Sequence, residues 1–230
     1  MSTSGRLVVL EGLDGVGKST QLGLLTKRLE AARLPFVQYT FPRYQEPPVG
    51  WLISRFLRGE FGGLAEVDPH LVSMLYALDR AGAAPALRAA LESGVLVVVD
   101  RYVLSNVAYQ GAKVEEGEAR ERFITWLLEL EYGVLGVPVP DLHLYLASSA
   151  ELVARRNRDR GEHAGERGYL AGAEDIHERD SGFQANVDRV YRAVLPRLGA
   201  HRILECSDRD GVPFAREGLG DQVWEALFER

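Results

Sequence analysis

The chain alternates short, wholly apolar runs with longer stretches in which apolar residues recur every three or four positions. Leu7–Leu10 is one such run, and "VLVVV" at Val95–Val99 is the clearest. An apolar run with no polar residue between its members is the pattern of a strand covered on both faces. Pro35–Thr40, Leu142–Leu146 and Arg202–Glu205 complete a set of five expected strands. The helical stretches fall between them. Lys18–Ala32 carries Leu22, Leu25 and Leu29 on one side, and Val49–Leu57 is a second helix. A third opens at Asp68-Pro69, with Pro69 suited to a first turn, and reaches Ala81. Pro85 is expected to bend or restart it before Leu91. Glu116–Leu130, Ala150–Arg158, Ser181–Leu198 and Ala215–Phe228 close the series. Strands alternating with helices predict an α/β fold, a five-stranded parallel sheet with helices on both faces. The 230 residues show no internal repeat and read as one domain.

Composition narrows the class. Hydrophobic residues make up 46% of the chain, enough for a sizeable core. The formal net charge of -6 speaks against non-specific nucleic-acid binding, which rewards a basic face. A lone cysteine, Cys206, allows no intrachain disulfide. Met1–Arg6 is short and polar for a signal peptide, and no apolar run approaches the roughly 20 residues that span a bilayer. A soluble, cytoplasmic protein without a membrane partner is the expectation.

The candidate chemistry begins after the first strand. Gly12, Leu13, Asp14, Gly15, Val16, Gly17, Lys18 and Ser19 satisfy G-x-x-x-x-G-K-[ST], with Thr20 following. Glycines let main-chain N–H groups converge on one anion, and the next helix adds its positive end. Lys18 can reach the β- and γ-phosphates of a nucleotide, and the Ser19 hydroxyl can ligate Mg²⁺. These features define a P-loop NTPase fold. Asp100 ends the third strand, where ligands of a parallel sheet collect, and is a second Mg²⁺ candidate. Arg101 follows and can clamp phosphate oxygens. If the chain is helical beyond Arg101, then Tyr102, Asn106 and Tyr109 share one face. An asparagine there offers the donor and acceptor that a pyrimidine edge requires.

Six stretches, in order, give the chain a family likeness: "EGLDGVGKST", "FPRY", "YALDRAGA", "DRYVLSNVAYQGA", and the weaker "PDLHLYL" and "HERD...FQANVDRVY". Together they span Glu11–Tyr191, and the chain resembles the bacterial thymidylate kinases. That resemblance implies ATP-dependent conversion of dTMP to dTDP for dTTP supply, with Mg²⁺, by a homodimer. It implies that Phe41, Pro42, Arg43 and Tyr44 meet the acceptor nucleotide, with Arg43 and Tyr44 on its phosphate. Tyr76 takes a place usually held by phenylalanine and stacks on thymine. Arg80 reaches the base O4, and Asn106 the N3 edge, with Gln110 nearby. Tyr109 crowds C2′, and Asp14 approaches the 3′-hydroxyl and acceptor phosphate. Arg101 spans donor and acceptor phosphates. Some relatives carry a catalytic arginine inside the loop; here that position is Gly15. The missing charge is then expected from a mobile lid at about residues 155–173. It holds Arg155, Arg156, Arg158, Arg160 and Arg167, with Arg158 and Arg160 foremost and Arg156 also near ATP. His177 departs from a more usual tyrosine. Dimer contacts are expected near Leu71, Leu75 and Leu78, or within Ile124–Leu130. Three rivals stand beside it: a kinase of another nucleotide or nucleoside, a nucleotide switch, and a non-catalytic relative, against which the intact Lys18, Ser19, Asp100 and Arg101 argue. The switch lacks its N-K-x-D and its second loop lysine here.

Overall fold

A computed structural model describes residues 5–63, 66–149, 152–153, 181–208 and 212–228. Strands β1 (Arg6–Gly12), β2 (Phe36–Thr40), β3 (Leu96–Asp100), β4 (Leu142–Ala147) and β5 (His201–Glu205) form one sheet. Their order is β2-β3-β1-β4-β5, and every pairing is parallel. The inner strands β1, β3 and β4 carry no exposed residue, whereas the edge strands β2 and β5 do. This is the burial that continuous apolar runs demand. His143 is an exception in chemistry: it is fully buried in β4, and neither ring nitrogen has a partner. Burial, reinforced by His201 on the neighbouring strand, brings its pKa down to about 4, so the ring is neutral at pH 7.

Among the described residues seven α-helices cover the sheet: α1 (Lys18–Ala31), α2 (Val49–Leu57), α3 (Pro69–Glu92), α4 (Val103–Gly111), α5 (Glu118–Leu128), α6 (Ser181–Val194) and α7 (Arg216–Phe228). Helix α1 packs against α7, while α4 packs against α3, α5 and α6. The Asp68 side chain caps α3 by accepting from the His70 N–H at 2.7 Å. Three expectations shift. Pro85 neither ends nor restarts α3, which runs 24 residues through it. Ala83, Ala84 and Leu87 are buried around it, and that packing offsets the cost of a helical proline, about 3 kcal/mol. The helix expected to Leu130 stops at Leu128 and passes into a π-helical turn, Glu129–Val134. The helix expected to Leu198 ends at Val194, where a 3₁₀ turn with Pro196 takes over. Most of the helix expected at Ala150–Arg158 lies outside the described residues, as does the expected lid. Among the described residues no helix is long and apolar enough to cross a membrane.

Candidate active site

Strands β1 and β3 end side by side, with Leu10 paired to Asp100. At Gly12 a Cβ would lie 2.8 Å from the Leu146 carbonyl of β4, so the chain leaves the sheet there only as glycine. The loop then turns into α1. The Lys18 ammonium donates to the carbonyls of Gly12 at 3.0 Å and Leu13 at 2.8 Å. Burial, with help from Arg101, lowers its pKa to about 8, against the pull of Asp100, Asp14 and Glu11. Ser19 and Thr20 are exposed on the first turn of α1. Asp100 is buried, and its Oδ1 has no partner. A buried carboxylate oxygen without a donor at the end of β3, together with an exposed hydroxyl on the first turn of α1, is a donor set that suits Mg²⁺ bound partly through water and phosphate.

Arg101 holds a left-handed backbone, φ 64, and its N–H donates to the Leu10 carbonyl at 3.0 Å. From there the guanidinium pairs with Asp14 and reaches Ser105 Oγ at 3.3 Å. The Tyr109 hydroxyl donates to Asp14 Oδ2 at 2.6 Å and accepts from the Asp14 N–H at 3.1 Å. Asp14, Arg101 and Tyr109 thus close a triangle at the loop. Under it lies Glu11, wholly buried, accepting from the Tyr102 N–H at 3.1 Å and the Ser105 hydroxyl at 2.5 Å. Burial raises the Glu11 pKa, opposed by Ser105, Arg101 and Lys18.

One pocket opens from this triangle, lined by Asp14, Phe41, Pro42, Tyr44, Tyr76, Arg80, Arg101, Asn106, Tyr109 and Gln110, with Leu57, Tyr102 and Ser105. Ten residues read from the sequence as acceptor ligands therefore share one cavity. Gln110 is fully buried, with neither amide atom partnered. Arg43 differs. It donates from Nε to Asp79 Oδ1 at 2.9 Å and from a terminal nitrogen to the Asp79 carbonyl at 2.7 Å, and it is not among the lining residues. The turn bearing Arg43 is pressed against α2: a Cβ on Gly50 would sit 2.0 Å from the Arg43 carbonyl oxygen. Tyr102 also departs from its expected place. It precedes α4 with an extended backbone, φ -148, so it does not share a helical face with Asn106 and Tyr109. Its ring is buried near Phe41, and its hydroxyl donates to the Pro138 carbonyl at 3.0 Å.

Arg156, Arg158, Arg160 and the rest of the expected lid, like His177, lie outside the described residues. Glu11, Asp79, Ser105 and Glu131 are not among the site residues expected from the sequence. Glu131 is completely buried and takes Arg80 on both carboxylate oxygens, at 2.6 and 2.5 Å. The available signal was indirect: Arg80, placed in an apolar site, requires an acid partner.

The family model described as thymidylate kinase matches residues 10–196. The chain belongs to the thymidylate kinase family. The thymidylate kinase of Mycobacterium tuberculosis is 36% identical over 185 residues, 80% of this chain and 83% of that one. The thymidylate kinase of Exiguobacterium is 27% identical over 226 residues, 94% of this chain and 96% of that one. A solved thymidylate kinase from Candida albicans shares the fold, with a TM-score of 0.75 at 24% identity, over 99% of this chain and 92% of that one. The expected α/β architecture and thymidylate kinase membership both hold.

Proposed function

We propose that the Asp14–Arg101–Tyr109 pocket holds dTMP and the Gly12–Ser19 loop holds ATP, so that this thymidylate kinase converts dTMP to dTDP. One observation carries the reading: Arg101 and Asp14, joined to each other, belong to the loop end of the acceptor pocket. In this reading the Arg101 guanidinium is where the donor and acceptor phosphates meet, which its pairing with Asp14 at the pocket supports. Phosphoryl transfer needs mainly alignment and charge compensation. Loop N–H groups and Lys18 cradle the donor phosphates. Tyr76 stacks on the base, with Arg80, Asn106 and Gln110 at its polar edge. Tyr109 crowds C2′, and Asp14 meets the 3′-hydroxyl and the acceptor phosphate. Arg43 and Tyr44 serve that phosphate as well, once Arg43 exchanges part of its hold on Asp79. Ser19 and Asp100 would hold Mg²⁺, which supplies neutralisation of the β- and γ-oxygens. Arg158 and Arg160, with Arg156, bring the further positive charge. The 230 residues act as one domain, and the cytoplasm, where ATP is kept, is its place.

A coupled assay with dTMP, dUMP, dCMP, UMP and thymidine tests this reading. dTMP should be the best acceptor, and EDTA should stop its turnover. Preference for thymidine would overturn the acceptor assignment, and rapid ATP hydrolysis without acceptor would favour a switch.

The partner is a second copy of the chain. Leu71, Met74 and Leu78 lie three and four residues apart on α3 and stand 57%, 37% and 48% exposed. Trp51 of the adjoining α2 is 53% exposed. Leu75 instead packs against the α2–α3 cluster, and Ile124 and Leu127 are core. An apolar stripe of that length is what a self-complementary interface buries. Sedimentation should give twice the mass of one chain; a single-chain mass at high micromolar concentration would overturn the assignment.

A further inference from the structure

Glu131 lies outside the motifs read from the sequence and does not line the acceptor pocket. It is nevertheless a fully buried carboxylate that accepts three hydrogen bonds from two residues lining that pocket. The π-helical turn Glu129–Val134 carries it inward, and such turns recur at functional positions. Its Oε2 accepts from Arg80 Nε at 2.6 Å, and its Oε1 accepts from a second Arg80 nitrogen at 2.5 Å. The same Oε1 accepts from Asn106 Nδ2 at 2.9 Å. Asn106 Nδ2 also donates to the Ser73 carbonyl at 3.0 Å. Both Asn106 N–H bonds are thereby taken. The other amide atom is the oxygen, and Oδ1 is buried without a partner on a residue that lines the pocket.

We infer that Glu131 is a positioning residue for base selection, orienting Asn106 so that it meets the base only as an acceptor. The inference rests on the dTMP reading of the pocket. An amide with both N–H groups committed cannot turn over to suit its ligand. Its oxygen pairs with a pyrimidine that carries an N3–H, as thymine and uracil do. Cytosine presents a lone pair at N3, and two acceptors would face each other without a proton between them. The same carboxylate holds the Arg80 fork, whose donors suit a carbonyl at C4 rather than an amine. One buried acid thus sets the polarity of two neighbouring readers. Gln110, whose amide atoms have no partner, is not constrained in this way.

The test is Glu131→Gln, with dTMP and dCMP as acceptors. An amide replaces one carboxylate oxygen by an N–H₂ group, which must point at donors of Arg80 or Asn106 and frees one of them. The kcat/KM for dTMP should fall about tenfold or more while that for dCMP does not, so the ratio between them collapses. Dissociation constants from calorimetry should shift in the same sense. A residue that merely supported the fold would lower both acceptors together and leave the ratio unchanged. Glu131→Asp keeps the charge beside Arg80 but draws the carboxylate back by one methylene; it should move the ratio in the same direction. It decides the matter should the glutamine variant not fold. A wild type selective for dTMP, with folded variants equally selective, overturns the inference and leaves the acceptor reading intact. A wild type that uses neither monophosphate overturns the acceptor reading itself.

Discussion

Lys18→Met should leave a folded protein whose turnover of dTMP is lower by about 10³-fold or more, the scale on which a preorganised donor at a developing charge acts. The Lys18 ammonium is buried against the Gly12 and Leu13 carbonyls, and its pKa is brought down from 10.5 to about 8. Within the window from about 8 to 10.5 the folded chain binds fewer protons at this site than the unfolded chain. Wild-type stability should therefore rise as pH climbs through that window. Below it the fold bears the full cost of a buried charge. Methionine removes both the charge and the slope. Its unpaired loop carbonyls offset part of the gain, so stability at pH 7 should change little. Coupled kinetics and thermal unfolding from pH 7 to 10 check the two halves separately. Turnover above a tenth of wild type would remove Lys18 from the chemistry, and an unchanged slope would remove it from the titration.

Arg101→Ala should lower kcat/KM by about 10² to 10³, since it deletes the cation proposed to be shared by the two phosphate sites. Comparison with Arg101→Gly separates the side chain from the backbone. Arg101 sits at φ 64, a conformation that costs an L-residue about 1–2 kcal/mol and glycine almost nothing. Alanine keeps the strain and glycine releases it. The glycine variant should thus be the more stable by about 1 kcal/mol, net of its greater freedom when unfolded, yet equally inactive. Denaturant unfolding of both variants, alongside their kinetics, reads the difference. Equal stabilities would mean that the left-handed turn is not maintained in solution, and near-normal kcat in the alanine variant would end the clamp assignment.

Much of this site was legible because its parts are contiguous. Eight residues from Gly12 to Ser19 state the phosphate loop, and five valines and leucines announce β3 before Asp100. What stayed hidden was long-range. Glu131 meets Arg80 across 51 positions and Asn106 across 25, and Glu11 meets Tyr191 across 180. A glutamate in a sequence ordinarily signals solvent. Nothing local marks one that is sunk under a loop and ringed by donors. Tyr102 was misplaced for a related reason. A periodicity of 3.6 was extended one residue too far, across a backbone that Glu11 holds extended by accepting the Tyr102 N–H. Pro85 shows the opposite case: of the expected bend or restart, the restart does not occur, and the helix runs on among the buried alanines and leucine around it.

The close approach at Gly50 has an evolutionary consequence. With an added carbon 2.0 Å from the Arg43 carbonyl oxygen, any amino-acid replacement at that position pushes helix α2 and the "FPRY" turn apart. A position that is not among those lining the substrate cavity should therefore drift no faster through descendant lineages than the groups that do the chemistry.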